Sequence, residues 1–393
     1  MRVTYVVQRY GPGIVGGAEA ACRGFATRLA GCGAEVTVFT SCATESTTWA
    51  NELPAGESTD GAVRVVRFPT AAERAPGFDR LSQRVLSGDR PDPALEQRWI
   101  RDQGPLVPGL IAAIRDGVTS QDLWIFYTYL YYPTLAGLLA APGRSVLHPA
   151  LHDEPQARLP AVRRALRSAA GISVHTPEEW ELILRFAGWP PGQVGLVGLG
   201  VDGGTGDPAA FRRRVGLGDD PYLLCLGRVD AGKGTTALAR LFARFKARHP
   251  GPLKLVIAGP VVDAPPGHSD IVLTGTLDPA QKWGALEGTA ALVHPSPAES
   301  FAIVLLEAWM KARPVLVNAG CPVTSGHARR AEGGLAYRDY AEFEAALELI
   351  LGDPVVAASL GAAGAAYAAG FRWEAVMERY TGLLERVIAS RSA

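Results

Sequence analysis

Short apolar runs, each closed by a turn and followed by a stretch of helical spacing, recur along the chain. Such runs read as strands buried on both faces, and their alternation with helices predicts parallel sheets wrapped on both sides. In the first half the predicted strands are Val3–Val7, Glu35–Thr40, Val63–Phe68, the beginning of Leu123–Pro133, Ser145–His148, Gly171–Val174 and Val194–Val197. Helical spacing runs from Gly17 to about Gly31, from Ala94 to Ile114 and from Pro177 to Phe186. The second half repeats the alternation with strands Tyr222–Leu226, Leu253–Ala258, Ile271–Gly275 and Ala290–Val293. Helices follow Gly234, run from Phe301 to Met310, and begin again near Phe371. Between the halves Gly198–Asp202, with Gly203, Gly204 and Gly206, reads as a hinge. The expectation is an α/β chain of two domains, residues 1–200 joined by 372–393 and residues 201–371, since 393 residues exceed what one core usually fills.

Two strand-to-helix turns are rich in glycine. The first, Gly11 to Gly17, suits an anion at a helix N-terminus, because glycine lets backbone N–H groups approach it. Read literally, Gly11-x-Gly13-x-x-Gly16 is also a dinucleotide fingerprint, which requires an acid at the end of the next strand to hold a ribose. That strand ends in Thr40 and Ser41. A plain glycine turn is the third reading. The second turn, Gly227 to Gly234, carries Arg228 and Lys233, either as phosphate ligands or as solvated surface cations.

The stretch His294–Pro314 holds two acids. Ser300 is placed to cap a helix that is apolar on nearly every side, and Glu307 interrupts that surface. A buried carboxylate must be paired or bound to a ligand. Glu307 could simply form an i,i+4 pair with Lys311, worth about 0.3–0.5 kcal/mol. Elsewhere, Tyr127, Tyr129, Tyr131 and Tyr132 crowd one strand end, as core or as an acceptor platform. His152, Asp153 and Glu154 form a polar loop after another strand.

Glu299 and Glu307, with seven residues between them, together with Gly227–Gly234 upstream, resemble the nucleotide-sugar motif of retaining glycosyltransferases of family 4. The resemblance implies a GT-B fold: two Rossmann-like domains with parallel sheets facing an interdomain cleft, and a C-terminal helix crossing back to the first. It implies transfer of a sugar from a nucleoside-diphosphate sugar to an acceptor hydroxyl, with no cofactor. Glu299 would meet sugar hydroxyls and Glu307 the ribose. Arg228 and Lys233 would meet the diphosphate, Gly16 and Gly17 would lie near the donor phosphates, and His152 would face the transferred sugar. Thr276 and Leu277 would hold the base through backbone groups, and Ser300, Phe301, Ala302 and Ile303 would line the sugar. Where this family commonly has Gly-Phe-Gly the chain has Ser300-Phe301-Ala302, and where the family tends to end the helix on Gly it has Ala312, so that helix is expected to terminate differently. A nicotinamide-dependent oxidoreductase using Gly11–Gly16 and a catalytically silent nucleotide-binding protein of the same fold are the other readings.

Composition narrows the partners. Lys and Arg equal Asp and Glu at 39 each and the balance holds in each half, so neither half is a nucleic-acid surface. Arg158, Arg163, Arg164 and Arg167 allow at most peripheral contact with anionic lipid. Five scattered cysteines without a C-x-x-C pair give no disulfide framework or zinc site, and no Asp-x-Asp offers a divalent metal. No leader or spanning run is evident, so a soluble, cytoplasmic, metal-independent protein is expected. The acceptor stays open among a saccharide, a lipid-linked glycan and a small molecule.

Overall fold

The computed structural model describes residues 1–14, 16–88, 91–190 and 192–391. The chain divides into two compact units: unit 1 is Met1–Gly200 with Glu374–Ala393, and unit 2 is Val201–Trp373.

Unit 1 is built on the strands β1 (Arg2–Val6), β2 (Glu35–Ser41), β3 (Gly56–Asp60), β4 (Val63–Phe68), β5 (Leu123–Tyr127), β6 (Ser145–His148), β7 (Gly171–Val174) and β8 (Gln193–Leu196). They lie in the order β3-β4-β2-β1-β5-β6-β7-β8. β1 sits between β2 and β5, with Val3 opposite Val36 on one side and Leu123 on the other. Every pairing is parallel except β3 with β4, an antiparallel edge hairpin. An all-parallel expectation fails there because β3, Gly-Glu-Ser-Thr-Asp, is polar and mostly exposed and carries no apolar signal. The predicted helix over Ala94–Ile114 is two helices, Pro93–Gln103 and Pro108–Gly117. Gly104 takes a positive φ and Pro105 and Pro108 lack amide hydrogens, so the helical ladder stops while the apolar period continues. Val6, Phe126, Leu147 and Ile172 of the sheet meet Trp99, Leu110 and Ile114 of these helices in one core.

The helix Trp373–Ala389 completes unit 1 and buries Val376, Tyr380, Leu383, Leu384 and Val387. Its Tyr380 hydroxyl lies 3.0 Å from that of Tyr5 on β1, and its ring packs 4.5 Å from Phe25. Arg379 donates twice to the Val197 carbonyl, at 3.1 and 3.0 Å.

Unit 2 carries β9 (Tyr222–Leu226), β10 (Lys254–Ala258), β11 (Ile271–Gly275), β12 (Ala291–His294), β13 (Val315–Asn318) and β14 (Gly334–Tyr337), all parallel, in the order β11-β10-β9-β12-β13-β14. Leu223, Ile257, Val293 and Leu316 form its core with Phe242 and Phe343 from the flanking helices. In each unit the strand order reverses beside a central pair, β1 with β5 and β9 with β12. The loops at the carboxyl ends of such a pair are where open α/β sheets receive ligands. Among the described residues no single helix is long and apolar enough to cross a membrane. Only the pair Tyr340–Gly352 and Pro354–Ala369, bent by 99°, has the length and composition together, and its Phe343, Leu347 and Ile350 are core residues of unit 2.

Candidate functional site

β9 ends at Leu226 and the chain turns through Gly227–Gly234 into the helix Thr235–Arg248. Gly234 takes φ 77°, and a Cβ there would lie 2.5 Å from the Pro295 carbonyl oxygen. Only glycine lets the loop after β9 press so closely against the loop after β12. That approach brings Lys233 Nζ to 2.6 Å from Glu299 Oε1. His294 Nε2, at the end of β12, lies 3.2 Å from the same oxygen. Burial favours the neutral acid, but the hydrogen bond and charge of His294 and the charge of Lys233 outweigh it and hold the Glu299 carboxyl down at about 2. Asp230 organises the loop: its carboxylate accepts the Lys233 amide at 2.7 Å and pairs with Arg228. Burial works against that charge too, and the Arg228 hydrogen bond with the Lys233 amide prevails to hold Asp230 below the usual carboxylate range.

Glu307 sits in the helix Ile303–Trp309 with its side chain 10% exposed, and its Oε1 accepts from Lys282 Nζ at 2.6 Å. Lys311 is not its partner; it pairs with Glu287 at 2.7 Å. The helix ends at Trp309, and Lys311 lies in the turn that closes it. Nor does Ser300 cap this helix: Ala302, at φ 62°, is the N-cap, and no side chain bonds to the first turn. Ala312 also takes a left-handed conformation, φ 50°, with Arg313 N–H bonded to Ala308 O at 3.0 Å. The helix thus closes as a Schellman turn despite lacking glycine, at a cost of about 1 kcal/mol, and the expected different ending is corrected. Phe301 is buried against His327 and Phe371, with ring centroids 5.1 and 5.6 Å away, so Ser300–Ile303 offers backbone rather than an aromatic face. Thr276 is exposed and Leu277 half-buried in the turn after β11. There Asp278 and Gln281 form a capping box that starts the helix Pro279–Gly288, the element carrying Lys282.

In unit 1, Gly16 precedes the helix Gly17–Gly31, and Glu19 of its first turn folds back over it. Glu19 Oε1 accepts from Gln8 Nε2 at 2.9 Å and from Arg9 Nε and Nη2 at 2.9 and 2.6 Å. A Cβ on Gly16 would fall 2.1 Å from Glu19 Oε2, so that carboxylate requires glycine, whereas the space beside Gly17 is open. Val15, within this loop, lies outside the described residues. His152 Nδ1 is 3.6 Å from Glu154 Oε1, and the Glu154 carboxylate also accepts the Tyr129 hydroxyl. Glu179, fully buried, accepts the Leu151 and His175 amides at 2.7 and 2.6 Å and so fixes the loop that leads to His152. Asp153 faces outward to Arg158 and to Arg185 at 2.9 Å. Tyr127 is core, stacked on buried His148 at 4.4 Å, and does not form an acceptor platform. Among the described residues no group of three His, Cys, Asp or Glu could hold a metal ion.

Sequence reading missed His294, Lys282, Asp230 and Glu179. Glu179 had a local signal, Thr176-x-x-Glu179 at a helix start, where Thr176 caps the Glu179 amide. Lys282 had none, because its partner lies 25 residues away on another element.

Residues 220–353 match the family described as glycosyl transferases group 1. The chain is 30% identical over 246 residues to the D-inositol 3-phosphate glycosyltransferase of Kribbella flavida, covering 56% of this chain and 57% of that protein. With D-inositol 3-phosphate glycosyltransferase 2 of Catenulispora acidiphila the identity is 27% over 406 residues, covering 96% and 92%. In fold the chain is similar to sucrose-phosphate synthase from Thermosynechococcus elongatus, with TM-score 0.73 at 18% identity over 99% of each chain. It is also similar to the Anabaena protein HepE in complex with UDP and glucose, with TM-score 0.69 at 16% identity over 98% of this chain and 100% of that one. The family match thus covers residues 220–353, and the two parallel-sheet units have the GT-B fold of these glycosyltransferase structures.

Proposed function

We propose that the chain transfers a sugar from a nucleoside-diphosphate sugar to an acceptor hydroxyl with retention of configuration. The observation that carries this reading is the cluster at the ends of β9 and β12: Lys233 and His294 converge on one oxygen of Glu299, with Arg228 beside them. When the bond from the sugar's anomeric carbon to the diphosphate breaks, its electron pair stays on the leaving oxygen. Arg228 and Lys233 are placed on a preorganised loop to meet that charge. Glu299, ionised throughout the physiological range, accepts from sugar hydroxyls and strengthens as positive charge grows on the ring. The acceptor hydroxyl attacks from the face the diphosphate leaves, and its proton passes to the leaving phosphate. Glu307 takes the ribose, the backbone of Thr276 and Leu277 takes the base, and Ser300–Ile303 lines the sugar. In unit 1, His152, held by Glu154, and the Gly16–Gly17 turn are that unit's substrate contacts.

UDP is the first nucleotide to try, since HepE of the same fold is described with UDP and glucose. Inositol 3-phosphate is the first acceptor, from the names of the relatives. Two side-chain cations and about half a charge from the N-terminus of the helix Thr235–Arg248 approach what a magnesium ion would supply, so we propose turnover without divalent metal. A thermal-shift panel of UDP, GDP, dTDP and ADP, followed by transfer assays with the matching sugars, tests the reading. Stabilisation by one diphosphate and turnover of its sugar is expected. Binding without turnover of any donor would favour a silent nucleotide-binding protein. Quenching by reduced nicotinamide cofactor instead would favour the oxidoreductase.

A further inference from the structure

We propose that His327 is a positioning residue for the turn that follows Glu299: it holds Phe301 from behind and so sets the backbone of Ser300–Ile303 and the direction of Glu299. This rests on the reading of Glu299 and that turn as the sugar contacts. No side chain caps the helix that the turn leads into, and Ala302 holds a left-handed φ of 62°. Such a turn needs a tertiary anchor, because a non-glycine residue at positive φ persists only where its surroundings fix it. Phe301 is that anchor. It is 2% exposed, and the imidazole of His327 meets its ring in a T-shaped contact, at 5.1 Å and 89°.

His327 lies in the helix Pro322–Ala331 and is itself buried. Its Nδ1 is 2.9 Å from the Tyr367 hydroxyl of the helix Pro354–Ala369. Burial, with the charge of Arg330, pushes the ring down to about 3, against a hydrogen bond to the Phe301 backbone. The imidazole is therefore neutral at physiological pH, and it joins two helices to the turn by polar contacts that a phenyl ring of similar size would not make. Phe371 closes the cluster, 5.6 Å from Phe301 and 5.1 Å from Tyr367. Glu307 is secured separately: its helix ends at Trp309, whose Nε1 donates to Gly333 O at 2.8 Å, and Lys282 holds its carboxylate. Loosening His327 should therefore disturb the sugar end of the site and spare the nucleotide end.

The test compares the wild type, His327→Phe and Tyr367→Phe, each shown to be folded by a melting curve, in three measurements: UDP calorimetry, turnover of UDP-glucose with inositol 3-phosphate, and amide hydrogen exchange. In His327→Phe turnover should fall about ten- to a hundredfold while UDP affinity stays within about twofold, since a displacement of about 1 Å is enough to misdirect Glu299. Exchange in the peptide spanning Ser300–Ile303 should quicken about tenfold. Tyr367→Phe removes one hydroxyl, should shift turnover and exchange the same way by about threefold, and carries the test if His327→Phe does not fold. Adding Phe301→Leu to His327→Phe should cost little turnover beyond the costlier single change, because both act on one contact. Fully additive losses, equal losses of turnover and UDP affinity, or unchanged exchange in the turn of folded His327→Phe overturn the inference. No turnover by the wild type with any donor of the panel overturns the transferase reading beneath it, and the exchange comparison still judges the positioning.

Discussion

Both units open a helix from a glycine turn after a strand, and in both a glutamate faces the turn, yet the two carboxylates are held in different ways. In unit 1, Glu19 receives three donors from Gln8 and Arg9, with the Glu19 and Arg9 side chains only 6% and 12% exposed. Nothing there can be released without stranding a buried charge, which costs about 3–5 kcal/mol. In unit 2, Glu299 and Glu307 each meet one lysine whose side chain is 35% or 32% exposed, and Arg228 is 56% exposed. Because these cations reach solvent, a phosphate or hydroxyl can take either partner's place without leaving the other charge stranded. A glycine turn beside an acid is thus scaffold where the acid is saturated by buried donors and open to a ligand where its cation is partly exposed. The helix N-terminus in unit 1 is already faced by its own carboxylate, which makes the Gly16–Gly17 turn a weaker anion site than the glycines alone suggest.

The largest expected effect tests the scaffold side. Arg9→Met should destabilise unit 1 by about 3–5 kcal/mol in denaturant titration, because it leaves Glu19 buried with Gln8 alone. Intact stability with lost activity would instead move the Arg9–Glu19 pair into the site and break the contrast. On the ligand side, Glu299→Gln should lower turnover by about a hundredfold or more while lowering the melting temperature by only a few degrees. A drop in melting temperature with kcat preserved would mark Glu299 as structural.

Acid titration sharpens the same point by a smaller amount. The folded Glu299 carboxyl lies at about 2 against an ordinary 4.5, so its contribution to stability is present above 4.5 and fades as pH falls toward 2. Allowing for the exposed Lys233, the wild type should lose roughly 1–2 kcal/mol more than Glu299→Gln across that window. Parallel acid limbs would mean the pair adds nothing to the fold. The smallest expected effect is none at all: transfer rates in excess EDTA and in millimolar magnesium should agree. Loss in EDTA, restored by magnesium and absent in an Asp153→Ala control, would place a metal at the loop after His152.

Much of this architecture was legible before any coordinates. Strands Tyr222–Leu226, Ser145–His148 and Gly171–Val174 fall on the residues read from their apolar runs, since burial on both faces leaves an unbroken signal. The polar edge strand Gly56–Asp60 had no such signal. At the site, the two glutamates and the Arg228–Lys233 turn stood out through a resemblance, but their pairings did not. Lys233 reaches Glu299 across 66 residues because β9 lies beside β12, and Lys282 reaches Glu307 because one helix packs beside the next. Local spacing offered Lys311 to Glu307, but Lys311 pairs with Glu287 and Glu307 with Lys282. Ala312 teaches the complementary lesson: a helix can close through a left-handed residue that is not glycine, so the missing glycine misled about geometry.

The most direct test of the central claim, that unit 2 divides nucleotide and sugar between its two glutamates, is calorimetry of UDP binding to the wild type, Glu307→Ala and Glu299→Ala. Glu307→Ala should lose about 1.5–3 kcal/mol of binding, the worth of hydrogen bonds from ribose to a charged acceptor. Glu299→Ala, whose proposed ligand is the absent sugar, should bind UDP within about twofold of the wild type. Equal affinity for UDP in the wild type and Glu307→Ala would contradict the account.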